Sequence, residues 1–185
     1  MSNNRNKFWS KKELNYIAQK GGMNIKSKNK KEIYNMIKKK YNISNKKIWF
    51  DMNKNELKKF NTHDGMAFKI LKEKGIFTAM ITSEKTNIVK LRASKLQVDY
   101  LFQGVKGGEK LEVLKKICIE KNMSLSEVAY IGDDINDYNV LSSVGFPACP
   151  KNAIANIKSI KGITHLSKSG GDGAVREFVE LLLNE

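Results

Sequence analysis

Four short apolar runs, at residues 76–81, 98–102, 128–131 and 144–148, alternate with segments of helical spacing. A near-continuous run such as Ile76-Phe77-Thr78-Ala79-Met80-Ile81 suits a strand covered on both faces. The intervening segments repeat apolar residues at three and four: Ala67, Ile70 and Leu71, then Leu111, Leu114 and Ile117, then Val140-Leu141, and last Val175, Phe178, Val179 and Leu182. A polar helix is expected across 85–95. Strands alternating with helices predict an α/β fold with a doubly wound parallel sheet. Ligands in such sheets bind beyond the carboxyl ends of the strands. Upstream, residues 48–50 and 56–60 flank the polar turn Met52-Asn53-Lys54-Asn55, which predicts a β-hairpin.

The chain is expected to divide near residue 47 into a 1–47 module and a 48–185 domain. The first 47 residues carry 14 Lys/Arg against 2 Asp/Glu, and they hold most of the net charge of +15. Ser10 with Glu13 forms a capping-box pattern ahead of Leu14, Ile17 and Ala18. Gly21-Gly22 stops that helix, and Glu32, Ile33, Met36 and Ile37 outline a second. A concentrated basic field is the footprint of a polyanion partner. This small basic helical module resembles SAP and helix-extended-helix DNA-binding units. The resemblance implies sequence-independent phosphate contacts from Lys11, Lys12, Lys26, Lys28, Lys30, Lys31, Lys38, Lys39 and Lys40. Cys118 and Cys149 make no disulfide framework. With no apolar leader at residues 1–7 and no run of membrane-spanning length, the expected location is cytoplasmic.

The chemistry gathers where the predicted strands end. Thr82-Ser83 follows the run at 76–81, Lys110 opens a helix after Gln103-Gly104-Val105-Lys106, and Gly132-Asp133-Asp134-Ile135-Asn136-Asp137 follows the run at 128–131. Clustered carboxylates at a strand end repel one another unless a cation sits between them. Mg²⁺ takes one or two carboxylates together with water and substrate phosphate. A hydroxyl with backbone amides to hold phosphate, an ammonium to neutralise it and carboxylates for the metal make a phosphate-plus-Mg²⁺ site. Taken alone, the acidic run could equally cap the next helix.

These marks resemble the haloacid-dehalogenase (HAD) superfamily, of the 3-deoxy-D-manno-octulosonate 8-phosphate phosphatase type, a type similar to the C-terminal domain of some acylneuraminate cytidylyltransferases. The similarity runs from about Trp49 to Leu183. It rests on Phe60-Asn61-Thr62-His63-Asp64-Gly65, Ile81-Thr82, Phe102-Gln103-Gly104-Val105-Lys106, residues 128–137 and Gly170-Gly171-Asp172-Gly173-Ala174-Val175-Arg176-Glu177. It implies phosphate binding by Thr82 and Lys110, and Mg²⁺ binding by Asp133 with support from Asp134 and Asp137. It also implies a homotetramer joined through the hairpin residues Trp49, Phe50, Leu57 and Phe60.

The family's nucleophile lies in an Asp-x-Asp-Gly motif on a first, central strand, and residues 1–64 contain no Asp-x-Asp. Trp49-Phe50-Asp51-Met52-Asn53-Lys54-Asn55-Glu56 aligns with the hairpin that follows that motif, whereas a competing alignment makes Ile48-Trp49-Phe50-Asp51 the first strand. On the competing alignment Asp51 is the nucleophile, and Asn53 stands where the acid and base belongs. Ser83-Glu84 and Asp172 add negative charge where the family has cations. The leading expectation is therefore a catalytically degenerate HAD-type domain joined to a nucleic-acid-binding module, working as an oligomeric DNA-binding or ligand-sensing protein. The alternatives are a Mg²⁺-dependent phosphatase acting on a sugar phosphate or a nucleic-acid end, and a protein-interaction scaffold.

Overall fold

The computed structural model describes residues 18, 19, 23, 24, 28, 29, 32, 48–50, 56–58 and 60–184. The chain forms two compact units, Met1–Lys59 and Phe60–Glu185.

In the first unit Ala18 and Gln19 are helical, and Glu32 lies in a helix. Asn29 and Glu32 cap each other: the Glu32 N–H donates to Asn29 Oδ1 at 3.0 Å, and the Asn29 N–H donates to Glu32 Oε2 at 2.8 Å. Of the lysines expected to meet phosphate only Lys28 is described, and it is exposed. Lys11, Lys12, Lys26, Lys30, Lys31 and Lys38 to Lys40 lie outside the described residues. β1 (Ile48–Phe50) pairs antiparallel with β2 (Glu56–Lys58), Trp49 opposite Leu57. This pair is the hairpin expected from the sequence; Asp51 and Asn53 fall outside the described residues.

The second unit alternates helix and strand. α1 (Thr62–Glu73) starts where the Asn61 side chain accepts the His63 N–H at 2.8 Å. After it come β3 (Ala79–Ile81), α2 (Asn87–Leu96) and β4 (Tyr100–Phe102). α3 (Lys110–Lys121) buries Lys110, Leu114, Ile117 and Cys118 at helical spacing. β5 (Ala129–Ile131), α4 (Tyr138–Leu141), β6 (Phe146–Cys149), α5 (Ala155–Lys158), β7 (Thr164–His165) and α6 (Ala174–Asn184) complete the unit. All strand pairs within it are parallel, as expected of an α/β wound fold. They form two pieces, β3-β4 and β5-β6-β7.

Helices cover both faces of these pieces. Leu114, Cys118, Val140 and Val144 pack on one face with Ile81 of β3 and Tyr130 of β5. Ala148, Leu166, Ala174 and Phe178 gather with Ile131 and Leu182 in a second cluster. Leu141, Cys149, Ala153, Ile157 and Ile163 form a third. The run at 76–81 forms strand only from Ala79 on. Ile76 and Phe77 stay exposed, and the Lys121 ammonium lies 4.2 Å from the centre of the Phe77 ring. Thr78 then locks the strand's start: its N–H and hydroxyl both donate to Asp99 Oδ2, at 2.8 and 2.9 Å. Phe60, expected at a subunit contact, is exposed and carries the Arg92 guanidinium 4.8 Å above its ring.

Candidate active site

Three loops meet beyond the carboxyl ends of β3, β4 and β5. The Asn136 amide after β5 donates to Ser83 Oγ after β3 at 3.3 Å. A Cβ on Gly107, in the turn before α3, would stand 2.8 Å from Asn136 Cβ, so Gly107 serves a close approach between loops, whereas a Cβ on Gly108 would meet open space.

Thr82 is held by backbone on two sides. Its N–H donates to the Phe102 carbonyl at 2.9 Å, and its carbonyl accepts from Val105 at 3.0 Å. Its hydroxyl oxygen accepts the Glu84 N–H at 3.1 Å, which leaves the hydroxyl proton for another acceptor. The contact from Glu84 to the threonine hydroxyl is thus a backbone donor.

Lys110 is the first residue of α3 and is almost fully buried. Its Nζ lies 2.7 Å from Asp137 Oδ1, with both side chains under a tenth exposed. Asp137 Oδ1 also accepts the Tyr130 hydroxyl at 2.8 Å, and Oδ2 accepts the Asp133 N–H at 3.3 Å. Both carboxylate oxygens of Asp137 are therefore engaged, and the residue orients the lysine. Burial, and then the neighbouring Asp137 charge, push the Tyr130 phenol well above its ordinary range, so it stays protonated and donating. Gly132 is required here. A Cβ on it would meet Asp137 Cβ at 2.6 Å and Oδ2 at 2.9 Å.

Asp133 and Asp134 open outward beyond β5. Asp134 caps the following turn, accepting the Ile135 N–H at 2.7 Å. Asp133 is exposed by area, yet its carboxyl is held above the usual range, first by desolvation and then by the charges of Asp137 and Asp134, with Lys110 opposing. Such a carboxylate gains from a nearby cation. Among the described residues no three His, Cys, Asp or Glu side chains converge as a metal cage. The exposed carboxylates of Asp133 and Asp134 are the kind of donors that Mg²⁺ takes alongside waters and phosphate oxygens. Sequence reasoning had singled out Thr82, Lys110, Asp133, Asp134 and Asp137, and the last belongs to the lysine's support. It missed Tyr130, which in sequence looks like one more core aromatic; only its hydroxyl, needing a partner once buried, could have marked it.

The C-terminal glycine-rich segment is anchored from α1. Asp64 accepts the N–H groups of Gly173 and Arg176 at 3.2 and 3.1 Å, and Glu177 accepts those of Ser167 and Lys168 at 2.8 Å each. Asp172 is exposed, and its N–H donates to the Ser169 carbonyl at 2.9 Å.

A parallel α/β unit with a hydroxyl, a lysine and carboxylates at its strand ends is the frame of a phosphoryl-transfer enzyme. The match to haloacid dehalogenase-like hydrolases spans residues 3–178, and the chain belongs to that family. It is 33% identical over 142 residues to the 3-deoxy-D-manno-octulosonate 8-phosphate phosphatase KdsC of Salmonella typhi, covering 76% of this chain and 73% of that one. The 3-deoxy-D-manno-octulosonate 8-phosphate phosphatase of Moraxella catarrhalis, solved with magnesium, phosphate and a KDO molecule, superposes with a TM-score of 0.70 at 33% identity, covering 76% of this chain and 79% of that one. The cobalt-bound deoxy-D-mannose-octulosonate 8-phosphate phosphatase of Haemophilus influenzae gives 0.66 at 25% identity, covering 73% and 77%.

These relatives overturn the leading expectation of a degenerate DNA-binding or ligand-sensing protein. That expectation gave the missing Asp-x-Asp more weight than the retained strand-end set, and it treated Glu84 as a charge intruding on phosphate. The part of Glu84 that meets Thr82 is its N–H. The SAP-like resemblance of residues 1–47 finds no support among the relatives either.

Proposed function

We propose that the chain serves as a Mg²⁺-dependent phosphatase for a phosphorylated sugar acid of the 3-deoxy-octulosonate 8-phosphate kind. The observation that carries this reading is the assembly of Thr82, Lys110 and Asp133 at the ends of parallel strands, with Lys110 fixed by Asp137. The relatives' substrate, and the magnesium and phosphate held by a solved one, support it.

Thr82 donates its hydroxyl proton to a phosphate oxygen, and the neighbouring backbone N–H groups add further donors. Lys110 offsets the phosphate's charge, and Asp137 and Tyr130 hold that ammonium in place. Asp133, helped by Asp134, holds Mg²⁺; the metal when bound neutralises phosphate oxygens as charge shifts in phosphoryl transfer.

Titration calorimetry with orthophosphate and with 3-deoxy-D-manno-octulosonate 8-phosphate, with and without Mg²⁺, tests the reading. Binding should require Mg²⁺, favour the sugar phosphate, and be lost in Thr82→Ala and in Asp133→Asn. Absent or Mg²⁺-indifferent binding would refute it. The residues Trp49, Phe50, Leu57 and Phe60 are proposed to join copies of the chain, and a monomer by light scattering at micromolar concentration would refute that.

A further inference from the structure

Ser83 follows Thr82 at the end of β3, and the residues on both sides of it are stitched down. The Thr82 N–H donates to the Phe102 carbonyl at 2.9 Å, and the Thr82 carbonyl accepts from Val105 at 3.0 Å. The Glu84 carbonyl accepts from Gly104 at 3.1 Å, and the Glu84 N–H donates to the Thr82 hydroxyl at 3.1 Å. Ser83 is the exposed residue between these two half-buried ones. Its backbone therefore has a fixed place beside the Thr82 hydroxyl.

The Ser83 side chain is held from the opposite loop. Asn136 Nδ2 donates to Ser83 Oγ at 3.3 Å. A serine oxygen that accepts in this way has its own proton to give elsewhere. Asn136 is braced in turn by the segment before α3, where a Cβ on Gly107 would stand 3.1 Å from Asn136 Cα. Asn136 Oδ1 is sealed from solvent and meets no donor among the described residues. A buried acceptor in that condition destabilises the fold. An apolar side chain of the same shape would avoid the penalty, so stability gives no reason for an amide at position 136. The other end of the amide gives one, because it orients Ser83.

We propose that Ser83 is a second phosphate-binding hydroxyl beside Thr82, and that Asn136 is the residue that positions it. This rests on the phosphatase reading, in which Thr82 holds phosphate. A phosphate oxygen is a charged acceptor, and hydrogen bonds to such acceptors are the stronger kind. Two hydroxyl protons from consecutive residues then meet one phosphate group. Asn136 belongs to the loop that carries Asp133, so the same contact sets the phosphate end of the site against its metal end.

Titration calorimetry of the full chain with orthophosphate and Mg²⁺ tests this on wild type, Ser83→Ala, Asn136→Leu and the double variant. Ser83→Ala should weaken orthophosphate binding about tenfold, the loss of one hydrogen bond to a charged acceptor. Ser83→Thr, which keeps the hydroxyl, should weaken it by less than about threefold. Asn136→Leu should weaken it about three- to tenfold, while its Tm holds or rises because the orphaned acceptor is gone. The double variant should match Ser83→Ala within about twofold, because Asn136 acts through the serine. Unchanged orthophosphate affinity in Ser83→Ala overturns the proposal, even where the sugar phosphate binds more weakly, since the hydroxyl would then serve the sugar. So does an Asn136→Leu loss that is fully additive with Ser83→Ala or comes with a lower Tm, which would make Asn136 a structural residue. Wild-type orthophosphate binding that ignores Mg²⁺, or that survives Thr82→Ala undiminished, would condemn the phosphatase reading and the proposal with it.

Discussion

Replacing Lys110 by Met should cost this protein more than any exposed lysine does. The Lys110 ammonium and the Asp137 carboxylate are 2.7 Å apart with both side chains under a tenth exposed, so neither charge has water to fall back on. Removing one member of such a pair leaves the other charged in a poor solvent, at about 3–5 kcal/mol. In Lys110→Met the carboxylate keeps the Tyr130 hydroxyl and the Asp133 N–H, which puts the loss near the lower end, about 3 kcal/mol. In Asp137→Asn the stranded ammonium keeps only a neutral acceptor, and a similar loss follows. The double variant strands no charge and should recover about 2–3 kcal/mol relative to the sum of the singles. Urea unfolding followed by circular dichroism measures each corner of the cycle, and the singles should also lose about 6–12 °C in Tm. Single losses under about 1 kcal/mol, with an additive double, would show that water reaches the pair and would refute its role in fixing Lys110.

Gly132→Ala should displace Asp137, because the new methyl would lie 2.6 Å from Asp137 Cβ; orthophosphate titration should show weaker binding, with folding retained by circular dichroism. Asp133→Asn should raise the Tm of the metal-free protein slightly near pH 7 and abolish its rise with Mg²⁺. The sign follows from a folded-state carboxyl held above its unfolded value: its charged form opposes folding at neutral pH, and that penalty fades as pH falls through the raised value. Asp99 is the opposite case, held below the usual range chiefly by the Thr78 N–H; its contribution is full above the unfolded value and fades as pH falls through the lowered one. Asp99→Ala should cost about 1–3 kcal/mol by urea unfolding near pH 7, since buried Thr78 loses the acceptor for both its donors.

The order of strands and helices was legible because each element repeats its own period. Leu114, Ile117 and Cys118 mark the buried face of α3, and the apolar runs at 98–102 and 128–131 contain β4 and β5. β7 was not legible: two exposed residues, Thr164 and His165, carry no period. The run at 76–81 overstated its strand because hydrophobicity alone does not tell Phe77, covered by a lysine, from Ile81, packed in the core. At the site, residue type and strand-end position single out Thr82, Lys110 and Asp133 as candidates. They did not reveal that Asp137 serves the lysine, because that depends on a contact across 27 residues.

Asp64 joins the first helix of the α/β unit to its last, through hydrogen bonds that span 109 and 112 residues of chain. On the ribosome α1 is made first and α6 last, so the Asp64 carboxylate waits for Gly173 and Arg176 until synthesis is almost complete. Until then the cluster around Ala148, Ala174 and Phe178 lacks half its members. A nascent chain stopped before residue 173 should stay protease-sensitive throughout the unit, and one released after Asn184 should close in a single late step. The clamp lies at the start of α6, so a circular permutant that opens the chain at the exposed turn near Gly162 and joins residue 184 to residue 60 needs a linker that runs back the length of α6, about 15 Å; it should keep the clamp and bring its halves together early in synthesis.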